Sequence, residues 1–119
     1  ELSKIVILTR HSKFEALKEA LNEIGITGMT VTQVLGCGMQ KGQMEYYRGT
    51  PVETMQLLPK IQVDIVVAKI PPRKVINTIK KVLYTGHIGD GKIFVYHVEN
   101  AVKVRTGEEG YYAMQGVDE

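Results

Sequence analysis

The chain has 119 residues, of which 44% are hydrophobic and 24% are charged, and its formal net charge is +2. This length suits one domain with a real core, and so small a net charge gives no argument for a nucleic-acid partner. The single cysteine, Cys37, excludes an intramolecular disulfide and a cysteine-rich metal site and is consistent with a reducing cytoplasm. No apolar run approaches the roughly 18 residues that span a bilayer. The N-terminus has no signal-like pattern, and because it begins at Glu1 rather than methionine we expect a short segment before it.

The first third of the chain predicts a strand, a helix and a second strand. Residues 4–10 contain the apolar run IVIL, which is typical of a buried strand. Ser12 and Glu15 have the spacing of a capping box at a helix start. Apolar residues then recur on one helical face, at Phe14, Leu17, Leu21 and Ile24. Gly25 stands where a helix C′ residue is expected, and residues 29–35 predict the second strand.

The pattern disappears over residues 36–56, and an apparently structureless stretch of that length indicates either a functional loop or a wrong assignment of its elements. Residues 60–67 then predict a third strand whose apolar residues share one face, namely Ile61, Val63, Ile65 and Val67. Pro71 and Pro72 suit the start of a second helix, which we expect to end at Gly86. Residues 93–98 predict a fourth strand. Residues 102–105 predict a short fifth strand, and the tail beyond it is expected to be mobile without a ligand.

The predicted order is strand, helix, strand, strand, helix, strand. This order is typical of the α+β, ferredoxin-like βαββαβ arrangement, a four-stranded antiparallel sheet with both helices on one face. We expect the opposite face to present apolar residues of the third strand. Because such a face normally needs a partner, the pattern favours a homo-oligomer.

Residues 85–95, with the sequence TGHIGDGKIFV, carry three glycines within six residues, followed by Lys92. Glycine lets backbone N–H groups approach an anion closely, and a neighbouring lysine adds positive charge. The loop lies between a helix and a strand, whereas P-loop and Rossmann sites have the order strand, loop, helix, so neither motif applies. A tight turn alone would also explain these glycines.

A second glycine cluster, residues 36–42, follows the second strand. Further cations stand near strand ends or in the long aperiodic stretch, at Arg48, Lys60, Lys103 and Arg105. A polyphosphate ligand needs several backbone donors and more than one cation. Most lysines and arginines are solvated surface charge, but placement at element ends favours a phosphate site.

Catalysis and nucleic-acid binding are not predicted. His11, His87 and His97 share no metal-ligand spacing, and no arrangement of serine, histidine and acid is evident. Phe94 and Tyr96 share one face of the fourth strand, but without the dense aromatic and basic residues of an RNA-binding strand. Core packing is the expected role of these two aromatic residues.

Together the motifs resemble the PII nitrogen-regulatory signal-transduction proteins along nearly the whole chain. The most specific match is residues 85–95, which resemble the signature around the family's nucleotide-binding B-loop. Residues 25–31, 38–42, 58–60 and 105–109 match other motifs in the same order. The resemblance implies a single domain with a T-loop at about 36–56, a B-loop at about 84–92 and a C-terminal loop at about 103–119.

The resemblance also implies a homotrimer that binds ATP and ADP competitively in clefts between subunits. One subunit would contribute Gly36, Cys37, Gly38, Met39, Gln40, Gly89, Asp90, Gly91 and Lys92, with Ile88 beside them. Its neighbour would contribute Gly28, Met29, Thr30, Asp64, Lys103 and Arg105. For 2-oxoglutarate, bound together with Mg-ATP, the matching positions are Gln40 as the Mg²⁺ ligand, Lys60 on a carboxylate, and Lys41 and Gly42 as backbone donors.

A member of this family is a regulator and not an enzyme. The implied partner is a nitrogen-metabolism transporter, enzyme or regulator that recognises the T-loop conformation. An ammonium transporter is the commonest partner in the family. The resemblance therefore implies a cytoplasmic protein that can be recruited to a membrane without inserting into it. Two other hypotheses stay open: an adenylate-only sensor for another transporter or enzyme, and a slow nucleotide hydrolase.

The chain departs from the family pattern at several positions. The tyrosine that is uridylylated in some members is absent after Arg48-Gly49, which leaves Tyr46, Tyr47 and Thr50 as weak candidates for modification. Arg10-His11 replaces the usual Lys-Pro, Lys103 replaces an arginine, and Asp64 replaces a glutamate. Because lysine lacks the bidentate fork of arginine, phosphate contacts at position 103 would differ.

Overall fold

The computed structural model describes residues 1–47 and 50–115, with side chains described outside residues 38–56. In chain order the elements are β1 (Leu2–Thr9), a 3₁₀ helix (His11–Lys13), α1 (Phe14–Glu23), β2 (Thr30–Tyr47), β3 (Thr50–Val67), α2 (Pro72–Leu83), β4 (Lys92–Val98) and a second 3₁₀ helix (Gly110–Met114). The sheet order is β2-β3-β1-β4, and every neighbouring pair is antiparallel. The ferredoxin-like prediction is therefore confirmed. None of the helices in the described ranges is long and apolar enough to cross a membrane.

The core lies between the sheet and the two helices. Alternate residues of β1 and β3 pack against Leu17 and Leu21 of α1 and against the apolar face of α2. The core residues of β3 are Ile61, Val63, Ile65 and Val67. These four residues face the helices, whereas Val66, which alternates with them and pairs with Lys4, is the β3 residue that places an apolar side chain on the opposite face.

The face away from the helices carries different apolar residues. Phe94 and Tyr96 pair with Val6 and Lys4 of β1, positions that alternate with the buried Ile5 and so point away from the helices. The exposed fractions of Phe94 and Tyr96 are 42% and 52%. The predicted core packing of these two rings is therefore wrong within a single chain, because the register places them on the uncovered face.

Helix α1 ends as predicted but begins differently. Gly25 has φ 96°, its N–H donates to the Asn22 carbonyl at 3.0 Å, and the Ile26 N–H donates to the Leu21 carbonyl at 3.0 Å. These two bonds form a Schellman motif. The capping-box prediction is wrong: Ser12 lies inside the 3₁₀ helix, and no side chain caps either helix start. The chain enters α1 through that 3₁₀ turn, whose backbone bonds replace a side-chain cap.

Two boundaries later in the chain also differ from prediction. Helix α2 ends at Leu83, because Tyr84 is already extended at φ −66° and ψ 124°. In place of a fifth strand, the described chain has one isolated bridge between Val102 and Glu109. The Gly107 N–H donates to the Lys103 carbonyl at 2.7 Å, and this turn reverses the chain before a longer ladder can form.

The predicted irregular segment, residues 36–56, is a continuation of two strands where the backbone is described. The β2–β3 ladder runs from Thr30↔Asp64 to Tyr47↔Thr50, with a register shift between Met39 and Met44. The prediction of irregular structure is wrong there because backbone N–H and C=O groups make the ladder, so no side-chain alternation is needed. Some predicted roles concern side chains outside the described ones, namely those of Gly38, Met39, Gln40, Lys41, Gly42, Tyr46, Tyr47 and Thr50. Arg48 and Gly49 lie outside the described residues altogether.

Candidate functional site

The loop between α2 and β4 folds around the carboxylate of Asp90. This carboxylate accepts hydrogen bonds from the Thr85 N–H at 2.7 Å, from the Gly86 N–H at 2.9 Å, and from the Thr85 hydroxyl. The buried Thr9 hydroxyl donates to the Asp90 carbonyl at 2.9 Å. Asp90 was predicted at the nucleotide site, but its carboxylate is occupied by the loop that carries it.

Arg10 ties the end of β1 to the same loop. Its Nη2 atom donates to the Ile88 carbonyl at 2.7 Å and lies 3.8 Å from Oδ1 of Asp90. From sequence, Arg10 was evident only as a departure from the family, and Thr9 and Thr85 were not identified as site residues. A local signal for the contact between Thr85 and Asp90 existed, because aspartate side chains in turns commonly accept hydrogen bonds from backbone N–H groups a few residues away. The contacts of Thr9 and Arg10 span 81 and 78 residues and had no local signal.

Two glycines of the loop are required by geometry. Gly91 has φ 117°, and a Cβ there would lie 2.1 Å from the Leu8 carbonyl oxygen. Gly89 has φ 101°, and a Cβ there would lie 3.0 Å from Nη2 of Arg10. Positive φ values of this kind favour glycine, so the tight-turn explanation holds for this loop. It leaves the phosphate interpretation in place, because glycine-rich turns are also the loops whose backbone N–H groups commonly bind anions.

The pKa of Asp90 is lowered from its ordinary value of 3.8 to about 2. The hydrogen bond from the Thr85 hydroxyl is the largest cause, followed by the Thr85 N–H; the Gly86 N–H and the Arg10 charge contribute less. All of these groups favour the ionised carboxylate.

Acid should therefore weaken the fold through Asp90. Because the pKa of Asp90 is lower in the folded state, the ionised carboxylate stabilises the fold fully above the ordinary value of 3.8, and this stabilisation disappears as the pH falls to about 2. Urea unfolding across this window should show a steeper loss of unfolding free energy in the parent protein than in Asp90→Asn, which has no carboxylate to titrate. Equal slopes in the two proteins would contradict the assignment.

Lys60 connects this loop to the second predicted glycine cluster. A Cβ at Gly89 would lie 3.5 Å from Nζ of Lys60, and a Cβ at Gly36 would lie 3.4 Å from its Cγ. The ammonium group is thus beside Gly89, and the aliphatic stem is beside Gly36. A cavity of about 370 Å³ adjoins this junction, lined by His11, Gln33, Val34, Leu35, Pro59 and Lys60. The fold therefore brings the two glycine clusters together, with Arg10 and Lys60 as neighbouring cations.

Three more residues were predicted on the same wall of the nucleotide site as the two glycine clusters: Cys37, Ile88 and Lys92. Cys37 is exposed and pairs with Leu57 in the ladder. Ile88 is 68% exposed at the loop tip. Lys92 is the first residue of β4, pairs with Leu8, and has an exposed side chain.

The second predicted half of the site is elsewhere on the chain. Gly28 and Met29 precede β2, and Thr30 pairs with Asp64 in the β2–β3 ladder. Six residues separate Thr30 from Gly36, which is about 20 Å along a strand. Gly36 is the β2 residue whose neighbour Lys60 also lies beside Gly89, so a single chain holds Thr30 and its ladder partner Asp64 away from that contact, farther along the strands.

The charged members of this half have partners within the chain. Asp64 accepts a hydrogen bond from Gln62 at 3.1 Å and lies 3.8 Å from the Lys4 ammonium. The Lys103 ammonium donates to the Gln115 carbonyl at 2.7 Å. Arg105 is exposed in the turn that follows. Within the described ranges, no three histidine, cysteine or acidic side chains come together as a metal-ion cluster.

Comparison with known proteins identifies related chains. The sequence model of the family described as Nitrogen regulatory protein P-II matches residues 2–108. The nitrogen regulatory PII-like protein of Bacillus subtilis is 46% identical over 114 residues, which are 96% of this chain and 97% of that protein. The Escherichia coli nitrogen regulatory protein GlnK is 43% identical over 104 residues, 87% of this chain and 92% of that protein. The solved structure of a B. subtilis GlnK–ATP complex has a TM-score of 0.81 and 42% identity, and covers 95% of each chain.

Proposed function

This chain belongs to the nitrogen regulatory protein P-II family and is a regulatory signal protein of that family, and we propose that it senses adenine nucleotides by binding ATP and ADP competitively at one site. The observation that carries this proposal is the 84–92 loop, which is closed on Asp90 and has Lys60 beside Gly89. Backbone N–H groups in such a loop, with two cations next to them, suit a chain of phosphates. The ATP complex of a 42% identical relative supports the same ligand.

The nucleotide site is proposed to lie between subunits of a homotrimer. One wall is Gly36 to Gln40 and Ile88 to Lys92, and the other is Gly28 to Thr30, Asp64, Lys103 and Arg105 of a neighbour. The separation of Thr30 from the loop within one chain supports a site shared between chains. The exposed rings of Phe94 and Tyr96 on the uncovered sheet face support association, because such rings normally pack against a partner.

Asp90 and Arg10 are proposed to position the loop, with the phosphates contacting its N–H groups and Lys92. A negatively charged carboxylate would repel phosphate if it faced the ligand. Its engagement by Thr85 and Gly86 directs it inward and leaves the exposed side of the loop to the ligand.

2-Oxoglutarate is proposed to bind with Mg-ATP next to this site. Gln40 would supply an amide oxygen to Mg²⁺, Lys60 would pair with a carboxylate, and Lys41 and Gly42 would donate backbone hydrogen bonds. An amide oxygen together with phosphate oxygens suits this hard cation. The position of the Lys60 ammonium group beside Gly89 supports a role for this charge next to both proposed effectors.

The output is proposed to be a shift between T-loop conformations that a cytoplasmic or membrane-recruited target reads. ATP with 2-oxoglutarate would favour one conformation and ADP another, and a coupling of roughly 1–3 kcal/mol is enough for such a switch. The target is a nitrogen-metabolism transporter, enzyme or regulator, and an ammonium transporter is one candidate.

Isothermal titration tests the 2-oxoglutarate proposal. With ATP and Mg²⁺ present, 2-oxoglutarate should release heat, and Gln40→Ala should weaken its affinity about tenfold or more, since an Mg²⁺ ligand is lost. ADP affinity should stay within about twofold in the same variant, and Gln43→Ala is the matched control for loss of a nearby amide.

Other outcomes identify the competing functions. Normal ATP binding with no heat from 2-oxoglutarate would indicate an adenylate-only sensor. Phosphate release over many turnovers from ATP would indicate a hydrolase. Either result would overturn the corresponding part of the proposal.

A further inference from the structure

The solvent side of α2 carries four cations and no acid. Residues 65–89 contain five lysines and arginines and no acidic residue. Four of them lie on α2 and form what we call the basic face: Arg73, Lys74, Lys80 and Lys81, all exposed. Arg73 and Lys80 are seven residues apart, as are Lys74 and Lys81, so each pair lies on one side of the helix about two turns apart. The opposite side packs into the core through Val75, Ile79 and Leu83.

Helix stability does not explain this arrangement. Cations near a helix C-terminus interact favourably with its dipole, which accounts for Lys80 and Lys81. Arg73 and Lys74 are in the first turn, where the dipole disfavours positive charge, and that turn contains no acid. None of the salt bridges in the described part of the chain involves the basic face.

A cavity adjoins the C-terminal end of the basic face. Its volume is about 370 Å³, its apolar lining includes Ile79, Leu83 and Ile93, and its charged lining residues are Lys80, Lys81, Lys92 and Asp90. Tyr84 also borders it and is 76% exposed. The Asp90 carboxylate already accepts hydrogen bonds from the Thr85 and Gly86 N–H groups. An apolar recess with three lysines in its lining suits a ligand that combines negative charge with one apolar group.

We propose that the basic face and this cavity form a docking surface for an acid-rich protein segment that inserts one apolar side chain. Aspartates and glutamates of the segment pair with the four cations of the basic face, and its apolar side chain occupies the cavity beside Tyr84. This surface lies on the helix side of the domain and differs from the proposed T-loop contact. Its cavity shares Lys92 with the proposed nucleotide site, whereas Lys80 and Lys81 belong to the docking surface alone.

Two other anionic partners fit less well. A flat lipid surface cannot enter a recess, and α2 cannot insert its apolar side into a bilayer because that side is already in the core. Single-stranded nucleic acid is bound through stacking platforms along a charged groove, whereas Tyr84 is the one aromatic residue of α2 and its flanks, residues 65–89. A protein segment uses both the charge and the recess.

Fluorescence anisotropy with a labelled acidic peptide tests this proposal. The probe is a short peptide of aspartate and glutamate around a central leucine, and a second peptide has glycine in place of the leucine. The double variant Lys80→Gln, Lys81→Gln should weaken binding of the leucine peptide about tenfold, since two exposed ion pairs are lost. The parent protein should bind the glycine peptide more weakly than the leucine peptide.

The matched control is Lys13→Gln, at the end of the first 3₁₀ helix, with Lys18→Gln on α1. It removes the same charge from the other helical segment and should change binding less than about twofold. ATP affinity should be unchanged in both double variants, so that failure of this proposal and failure of the nucleotide proposal are separate results. No binding of the leucine peptide by the parent protein, or equal losses in both variants, would overturn the docking surface. Displacement of the peptide by phosphatidylglycerol vesicles or by polyuridylate at lower concentration would assign the face to lipid or nucleic acid instead.

Discussion

Replacing Gly91 by alanine is expected to cost about 3 kcal/mol of unfolding free energy and to lower the Tm by about 10 °C or more. Two effects add at this position. The residue has φ 117°, and the new Cβ would lie 2.1 Å from the Leu8 carbonyl oxygen. That atom belongs to the backbone of β1, where Leu8 pairs with Lys92, so relief of the overlap requires the first pair of the β1–β4 ladder to separate. Thermal unfolding followed by circular dichroism measures the change.

Gly107→Ala is the control that measures the cost of positive φ alone, without a steric overlap. Gly107 also has positive φ, at 78°, but no atom lies within 4 Å of a Cβ built there. It should cost only about 1–2 kcal/mol, the strain of a left-handed residue. If Gly91→Ala were no more destabilising than Gly107→Ala, the contact with Leu8 would not be the reason that glycine is needed in this loop.

Asp90→Ala is expected to weaken ATP binding about tenfold or more, although its carboxylate is not proposed to touch the nucleotide. Without this acceptor, the N–H groups of Thr85 and Gly86 and the charge of Arg10 lose their common partner. The loop then occupies its binding conformation for only a fraction of the time. A competent fraction of about one tenth raises the apparent Kd about tenfold. Calorimetric titration with ATP gives this value directly.

Glu15→Ala is the matched control, because it also removes an acid that pairs with a cation, here Lys18 at 3.0 Å on the surface of α1. It should leave the ATP affinity unchanged. Asp90→Asn should fall between the parent protein and Asp90→Ala, since the amide keeps one oxygen acceptor but not the charge. An Asp90→Ala protein with unchanged ATP affinity would show that the loop does not need this carboxylate.

The sequence alone determined the elements whose pattern is local. Alternation over residues 61–67 identified a strand with one buried face, and Leu17 with Leu21 identified the core side of α1. Gly25 marked a helix end because a Schellman turn needs positive φ at that position. Each of these signals depends on residues a few positions apart, so no knowledge of the fold was needed to recognise them. The order of these elements was then enough to predict the ferredoxin-like fold.

The tertiary structure decided the features whose partners are distant in the chain. The length of the β2–β3 ladder depends on backbone pairing that side-chain periodicity does not report. The exposure of Phe94 and Tyr96 depends on register with β1 and on the absence of a helix from that face.

The same holds for the 84–92 loop. Its glycines and Lys92 were evident from sequence, and they indicated a phosphate-binding loop. The bond from Thr9 to the Asp90 carbonyl and the contact between Arg10 and Ile88 join residues about 80 positions apart. Composition and spacing cannot encode such contacts, because they exist only after β1 and β4 have paired and brought Leu8 against Gly91.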